Sequence, residues 1–277
     1  MPSTEATTAR PHSHPERRFE QEHSYGSHVH LIHDPVANTW LTRLCQHPTR
    51  QPELHRLVEK LYAQLLHRAL NREAALTGIS TLTRMDALHG ERARLSALGL
   101  DRDQNAVVVS LARAGTFPGH ICFDLLCDLL DPDRVRQDHI MASRLVDSTD
   151  TVTGTQFGAA KIGGSVENSL VIVPDPMGAT GSTLSQTIRH YKTLHKGHEA
   201  LKWIVLCLIV TPEMIRRMRN DHPEAIIYAF RVDRGMSSAH VFETVPGSLD
   251  EETGLDSRGY IVPGAGGVGE LLNNTTE

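Results

Sequence analysis

The stretch Val171–Thr183, VIVPDPMGATGST, decides the fold. It opens on an apolar strand, Val171–Val173, turns through Pro174–Thr183 and enters a helix from Leu184 onward. In an open α/β sheet, ligands gather beyond the carboxyl ends of the strands. A helix that starts there turns unpaired N–H groups and its positive dipole end toward an anion. Gly178 and Gly181 would let backbone approach a phosphate closely, and Thr180, Ser182 and Thr183 add hydroxyl donors. No lysine follows the glycines, so the turn is not the loop of nucleoside triphosphatases. Asp175, just ahead of the turn, is suited to accept hydrogen bonds from sugar hydroxyls. A bare ATGST also fits an ordinary strand–helix turn, so the surrounding sequence has to decide.

Outward from this stretch, Ala106–Ala112, Ile140–Ala142, Leu170–Val173, Trp203–Val210 and Ala225–Val232 read as strands. Their near-continuous apolar runs predict burial on both faces, as in a parallel sheet. Helical stretches lie between most of them, at about Pro118–Leu130, Ser182–Leu194 and Pro212–Asn220. Thr211 is an expected N-cap ahead of a proline at the first helical position. Upstream, Glu53–Leu76 carries Leu54, Leu57, Val58, Leu61, Leu65 and Leu70 at helical spacing, a packing stripe. Alternating strands and helices predict an α/β fold with a mostly parallel sheet flanked by helices.

The chain has 277 residues and a net charge of −5. No global attraction to nucleic acid or to an anionic membrane follows from that charge. No apolar run approaches the roughly 20 residues of a membrane span. Residues 1–25 are polar and read as a disordered tail without the apolar core of a secretory signal. The histidines at 12, 14, 23, 28, 30 and 33 follow no closed zinc spacing. Cys45, Cys122, Cys127 and Cys207 form no disulfide or zinc framework, so a reduced, cytoplasmic protein is expected. Residues 26–277 read as one domain, with a polar, glycine-rich flexible loop at 147–168 and a second polar excursion at 236–254.

Asp175–Thr183, DPMGATGST, resembles the 5-phosphoribosyl 1-diphosphate loop of uracil phosphoribosyltransferases, usually written DPMLATGGS. Ala112–Gly115 resembles that family's LRAG turn, and Arg144 falls where the family has a second arginine. Gly254–Gly266, GLDSRGYIVPGAG, is similar to its uracil-binding segment GLNxxGYIIPGLG. The likeness spans roughly Leu31–Leu272.

The resemblance implies a type I phosphoribosyltransferase fold with a small hood from the N- and C-terminal segments over the active site. It implies transfer of the 5-phosphoribosyl group to uracil, giving UMP and diphosphate, by a homo-oligomer, a dimer or higher. Asp175, Pro176, Met177, Gly178, Ala179, Thr180, Gly181, Ser182 and Thr183 would hold the phosphoribosyl donor. Arg113 and Arg144 would meet its diphosphate, with Mg²⁺ bound mainly through substrate oxygens. Ile261, Gly266, Gly267 and Val268 would read the uracil edge through their main chain.

This chain departs from the family at Gly178, where leucine is usual, and at Ser182, where glycine is usual. It also departs at Gly267, where the family has a donor-contacting aspartate. A water or a residue of the 236–254 excursion is expected to fill the gap at Gly267, and Gly267→Asp to raise activity. A different base, or a non-catalytic nucleotide-binding regulator, remain open readings of the same motifs.

Overall fold

The computed structural model of the protein describes residues 19–146 and 152–275, with 142–146 and 152–157 described by their backbone alone. The first half runs β1 (Val29–Leu31), α1 (Pro35–Leu44), α2 (Glu53–Glu73), β2 (Leu76–Leu82), α3 (Asp86–His89), β3 (Arg94–Leu100), β4 (Asn105–Ala112), α4 (Thr116–Leu129) and β5 (Val135–Val146). The second half runs β6 (Val152–Lys161), β7 (Ser169–Pro174), β8 (Met177–Gly178), α5 (Ser182–Leu194), β9 (Lys202–Val210), α6 (Pro212–Asp221), β10 (Ile226–Val232) and α7 (Val268–Asn273).

The main sheet has the order β1-β10-β9-β7-β4-β5-β6, with β8 laid along the end of β9. Every pairing is parallel except β5 with β6. From the central neighbours β4 and β7 the chain builds outward in opposite directions. A crevice therefore opens beyond the carboxyl ends of β4 and β7, where the strand order reverses. The phosphate-type turn leaves β7 at that crevice, and the Arg113 turn leaves β4 beside it.

The continuous apolar runs are explained by two cores, one on each face of the sheet. Val108, Ile172, Ile204 and Leu206 face the side covered by α2 and α4, together with the stripe Leu54, Leu57, Leu61 and Leu65. Val107, Val109, Val171, Val173 and Val205 face the opposite side, covered by Leu184 and Ile188 of α5 and by Met214 and Ile215 of α6. Alternate residues of one strand thus reach different cores, so no polar position interrupts the run.

The structure corrects several expectations. Helix α2 ends at Glu73 rather than Leu76, because Ala74 turns extended at φ −78, ψ 153. Leu76 instead starts β2, which pairs with β3 as a separate antiparallel hairpin. All of β2 is exposed, and Leu76, Ile79, Leu95 and Leu98 show their side chains to solvent. Of the polar stretch 147–168, expected as a flexible loop, residues 147–151 lie outside the described residues, and 152–161 form strand β6 on the sheet edge. Its threonines and glycines hide a strand signal because an edge strand need not be apolar. Strand β5 is far longer than the apolar core Ile140–Ala142 that announced it.

The expected tail lies outside the described residues up to residue 18. Its end is part of the fold: Glu20 bridges to Ile32, and Tyr25 is buried with its hydroxyl donating to Glu252 at 2.5 Å. Among the described residues no helix is long and apolar enough to cross a membrane.

Leu61 lies in the middle of the α2 stripe with none of its surface exposed. Leu61→Ala is expected to cost about 2–5 kcal/mol, read as a lower denaturant midpoint with an unchanged slope.

Candidate active site

Strand β7 delivers Asp175 to the edge of the crevice, and the turn that follows is laid on β9 rather than left loose. The amide of Asp175 donates to the carbonyl of Leu206 at 3.0 Å, and the hydroxyl of buried Tyr62 donates to the same oxygen at 3.2 Å. The carbonyl of Pro176 accepts from Leu208 and Ile209 at 3.1 and 3.2 Å. Thr211, fully buried, donates its hydroxyl to the Ala179 carbonyl at 2.6 Å and accepts from the amide of Met214 at 3.1 Å. One side chain thus caps α6 and holds the middle of the turn.

The glycines of the turn answer to packing. A Cβ at Gly178 would lie 3.1 Å from Cys207 Sγ and 3.1 Å from Val210 Cγ1. Gly181 has φ +71, and a Cβ there would lie 3.3 Å from the Met214 carbonyl. Both positions therefore look toward β9 and α6. The expectation that these glycines make room for phosphate is corrected on this point. Gly181 also serves as the N-cap of α5 without any side-chain cap, which suits a helix start that presents its first turn to an anion. Burial and the nearby Asp175 charge push the Cys207 thiol well above its ordinary range, so it is a packing group rather than a nucleophile.

Across the crevice, Arg113 follows β4. Its guanidinium donates to Glu270 Oε1 and to Thr275 Oγ1, each at 2.9 Å. Gly115 supports this turn: a Cβ there would sit 2.7 Å from the Pro174 carbonyl, so only glycine lets the two strand ends close together.

The third wall is the C-terminal segment. Asp256 accepts from the amides of Arg258 and Tyr260, both at 2.9 Å, and closes the turn before Ile261. Buried Asp233 accepts from the amide of Gly264 at 2.8 Å and is held in turn by Arg231 at 2.6 Å. Glu213, in the first turn of α6, accepts from Gly254 at 2.9 Å.

These walls enclose one cavity of about 690 Å³. Its lining takes in Leu111–Ala114, Asp175, Met177–Leu184, Gly259–Ile261 and Gly266–Glu270. Arg113, Asp175, Met177, Gly178, Ala179, Thr180, Gly181, Ser182, Thr183, Ile261, Gly266, Gly267 and Val268 are thus brought together. Pro176 is not among the lining residues; it is buried beneath the turn with its carbonyl turned to β9. Arg144 is on β5, and its side chain lies outside the described residues. Val268 spends its amide on the Gly266 carbonyl at 3.0 Å.

The 236–254 excursion does not line the cavity, so it cannot fill the space beside Gly267 as expected. Glu270 does so instead. A Cβ at residue 267 would lie 2.6 Å from Glu270 Oε2. Glu270 and the bracing role of Thr211 were missed in the sequence; the only signal for Glu270 was an acidic residue one helical turn after an anomalous glycine. Among the described residues no group of three His, Cys, Asp or Glu side chains is gathered to hold a metal.

Comparison with known proteins gives this geometry a context. The model of the uracil phosphoribosyltransferase family matches residues 31–250. A uracil phosphoribosyltransferase of Variovorax paradoxus is 26% identical over 249 residues, covering 90% of this chain and 99% of that protein. One from Rhodococcus jostii is 26% identical over 247 residues, covering 89% and 98%. One from Thermosipho africanus is 37% identical over 109 residues, 39% of this chain and 41% of that protein. Among solved structures, the AQ2163 protein from Aquifex aeolicus superposes with a TM-score of 0.63 at 19% identity, over 88% of this chain and 97% of that one. That likeness bears on the fold alone.

Thr211→Val keeps the side-chain shape and removes both hydroxyl bonds. The loss is expected to be about 1–2 kcal/mol of stability from the cap, together with weaker phosphate binding because the turn is no longer braced. Calorimetric titration with ribose 5-phosphate, alongside thermal melting, reads both effects.

Proposed function

Because the chain belongs to the uracil phosphoribosyltransferase family, we propose that its cavity transfers the 5-phosphoribosyl group of 5-phosphoribosyl 1-diphosphate to uracil. The products are UMP and diphosphate. The observation that carries this reading is the meeting of the 175–183 turn, the Arg113 turn and the 259–268 segment around one cavity. A phosphate cradle, an arginine and a main-chain segment are the three recognition elements that such a reaction needs, for phosphate, leaving group and base.

In the transfer, the bond from uracil N1 to the ribose C1 forms as the bond from C1 to the diphosphate oxygen breaks. The bonding pair leaves with the diphosphate, and the N1 proton passes to the diphosphate or to water. Positive charge builds on the ribose and negative charge on the leaving group, so catalysis rests on positioning and electrostatic stabilisation. The turn from Ala179 to Thr183 would hold the 5′-phosphate with amides and hydroxyls. Asp175 would accept from ribose hydroxyls. Arg113 and Arg144 would neutralise the diphosphate, for which the guanidinium fork is suited. The main chain of Ile261 and of Gly266–Val268 would face the pyrimidine edge.

Of the charged side chains among the described lining, Arg113 stands against Asp175 and Glu270. One cation against two anions is a poor receptor for a diphosphate. That balance supports a donor that arrives with Mg²⁺, an ion which keeps several waters and binds substrate phosphates readily. When bound, the ion would supply charge neutralisation at the leaving group. Asp175 is the lining carboxylate suited to meet its water shell.

The exposed leucines of the β2–β3 hairpin support a homo-oligomer, since an isolated two-stranded hairpin with an apolar surface is marginal in water. The free cysteines and family membership support work in the cytoplasm.

Two outcomes are expected. With the donor, Mg²⁺ and a panel of bases, pyrophosphate release should be fastest with uracil and about tenfold or more slower for Arg113→Ala, since one charged hydrogen-bonding group is lost. Release with another base but not uracil would reassign the substrate, and binding without release would make the protein a regulator. Leu98→Glu on the hairpin should lower the mass measured by light scattering to that of a smaller assembly.

A further inference from the structure

Besides Asp175, the described lining of the cavity holds a second carboxylate, Glu270. It lines the cavity from the first turn of α7. One oxygen accepts from Arg113 at 2.9 Å, and the other lies 2.6 Å from where a side chain of residue 267 would begin. Gly267 has φ −76, a conformation open to any residue, so the backbone does not demand glycine there. A side chain there would meet the far end of the Glu270 side chain and displace its carboxylate from this position.

We propose that Glu270 is a second sugar-facing carboxylate of the cavity beside Asp175, and that in the ligand-free protein it also serves as the counter-ion of Arg113. The proposal rests on the phosphoribosyl-transfer reading given above. A carboxylate beside a diphosphate site is repelled by the phosphates themselves, and where no metal ion stands between them it serves substrate by accepting from hydroxyls. Glu270 is held where it can do so. Gln51 donates to the Leu272 carbonyl at 3.2 Å, which ties α7 to the segment ahead of α2, and Gly269 lies beside Ala114 of the turn that carries Arg113. When a diphosphate draws the guanidinium away, the carboxylate remains at the cavity wall and is released toward the ribose. The exchange makes Glu270 a competitor of diphosphate and a partner of sugar at once.

Those two roles have opposite signs, which separates them from a merely structural one. Calorimetry of the full chain with ribose 5-phosphate and, separately, with inorganic pyrophosphate and Mg²⁺ reads both. Glu270→Gln is expected to bind ribose 5-phosphate about tenfold or more weakly, the loss of a charged hydrogen-bond acceptor. Pyrophosphate should bind this variant no more weakly than wild type, because Arg113 has lost its charged competitor. Gly267→Asp in the wild-type background places two carboxylates in one space and should also weaken ribose 5-phosphate. Gly267→Asp combined with Glu270→Gln leaves one carboxylate and should recover most of that affinity.

Equal affinity of wild type and Glu270→Gln for ribose 5-phosphate overturns the proposal. So does a parallel loss for both ligands with a lowered melting temperature, which would make Glu270 a strut. A wild type that binds neither ligand refutes the phosphoribosyl-transfer reading itself and takes this proposal with it. A wild type that binds both ligands, with Glu270→Gln binding them equally well, counts against Glu270 alone.

Discussion

The carbonyl of Leu206, in the middle of β9, is the fixed point of the structure. It accepts the amide of Asp175 from one side and the hydroxyl of Tyr62 from the other. Tyr62 belongs to the α2 stripe and is fully buried, so this bond ties the helix layer, the sheet and the start of the phosphate turn together. A buried carbonyl with both acceptor positions used is expensive to disturb, because either donor would be left unpaired in an apolar interior. From Asp175 onward the turn has little freedom: Pro176 and Thr211 fasten it to β9 and α6 within a few residues. The cradle is thus a preformed surface, and ligand binding need not order it.

That rigidity explains the departures from the family motif. Gly178 replaces a usual leucine at a position whose side chain would press on Cys207, Val210 and Met214. Here β8 pairs with β9, and Cys207, Val210 and Met214 stand in the space that a side chain at 178 would enter. Ser182 in place of glycine sits inside the first turn of α5 and is buried, where a small hydroxyl residue costs a helix start little.

What the sequence made legible follows the same physics. The buried strands of the main sheet and the α2 stripe were readable because two-sided or one-sided burial leaves an unbroken apolar signature. The β2–β3 hairpin and β6 were not, because their residues answer to solvent and to edge pairing rather than to a core. Arg113, Asp175 and the 177–183 turn were readable as a site because their neighbours in sequence are also their neighbours in space. Glu270 was not, since its meaning depends on contacts with Arg113 and Gly267 that only the fold creates. Pro176 was assigned to the ligand because it lies within the motif, yet burial turns it the other way. A contiguous motif records that a turn is special without saying which of its residues face outward.

The first turn of α6 carries the last step of this logic. Thr211 holds the phosphate turn through Ala179, and Glu213, two residues on, holds the base-facing segment through Gly254. The separation between the phosphate end and the base end of the cavity is therefore set by one short stretch of helix. Asp233 closes the other side of the same arrangement through Gly264, and a side chain at Gly254 would run into the Asp233 carbonyl. The 236–254 excursion leaves and rejoins the chain between those two touching points. Lengthening a loop whose ends are already held together costs only slowly growing closure entropy. Its own anchor is fully buried Glu252, which accepts from Tyr25, Arg234 and the amide of Gly247 away from the cavity. The chain can therefore carry an extra segment beside its base-reading wall, because the end of that segment and the wall next to it are both fastened to α6 and to the end of β10.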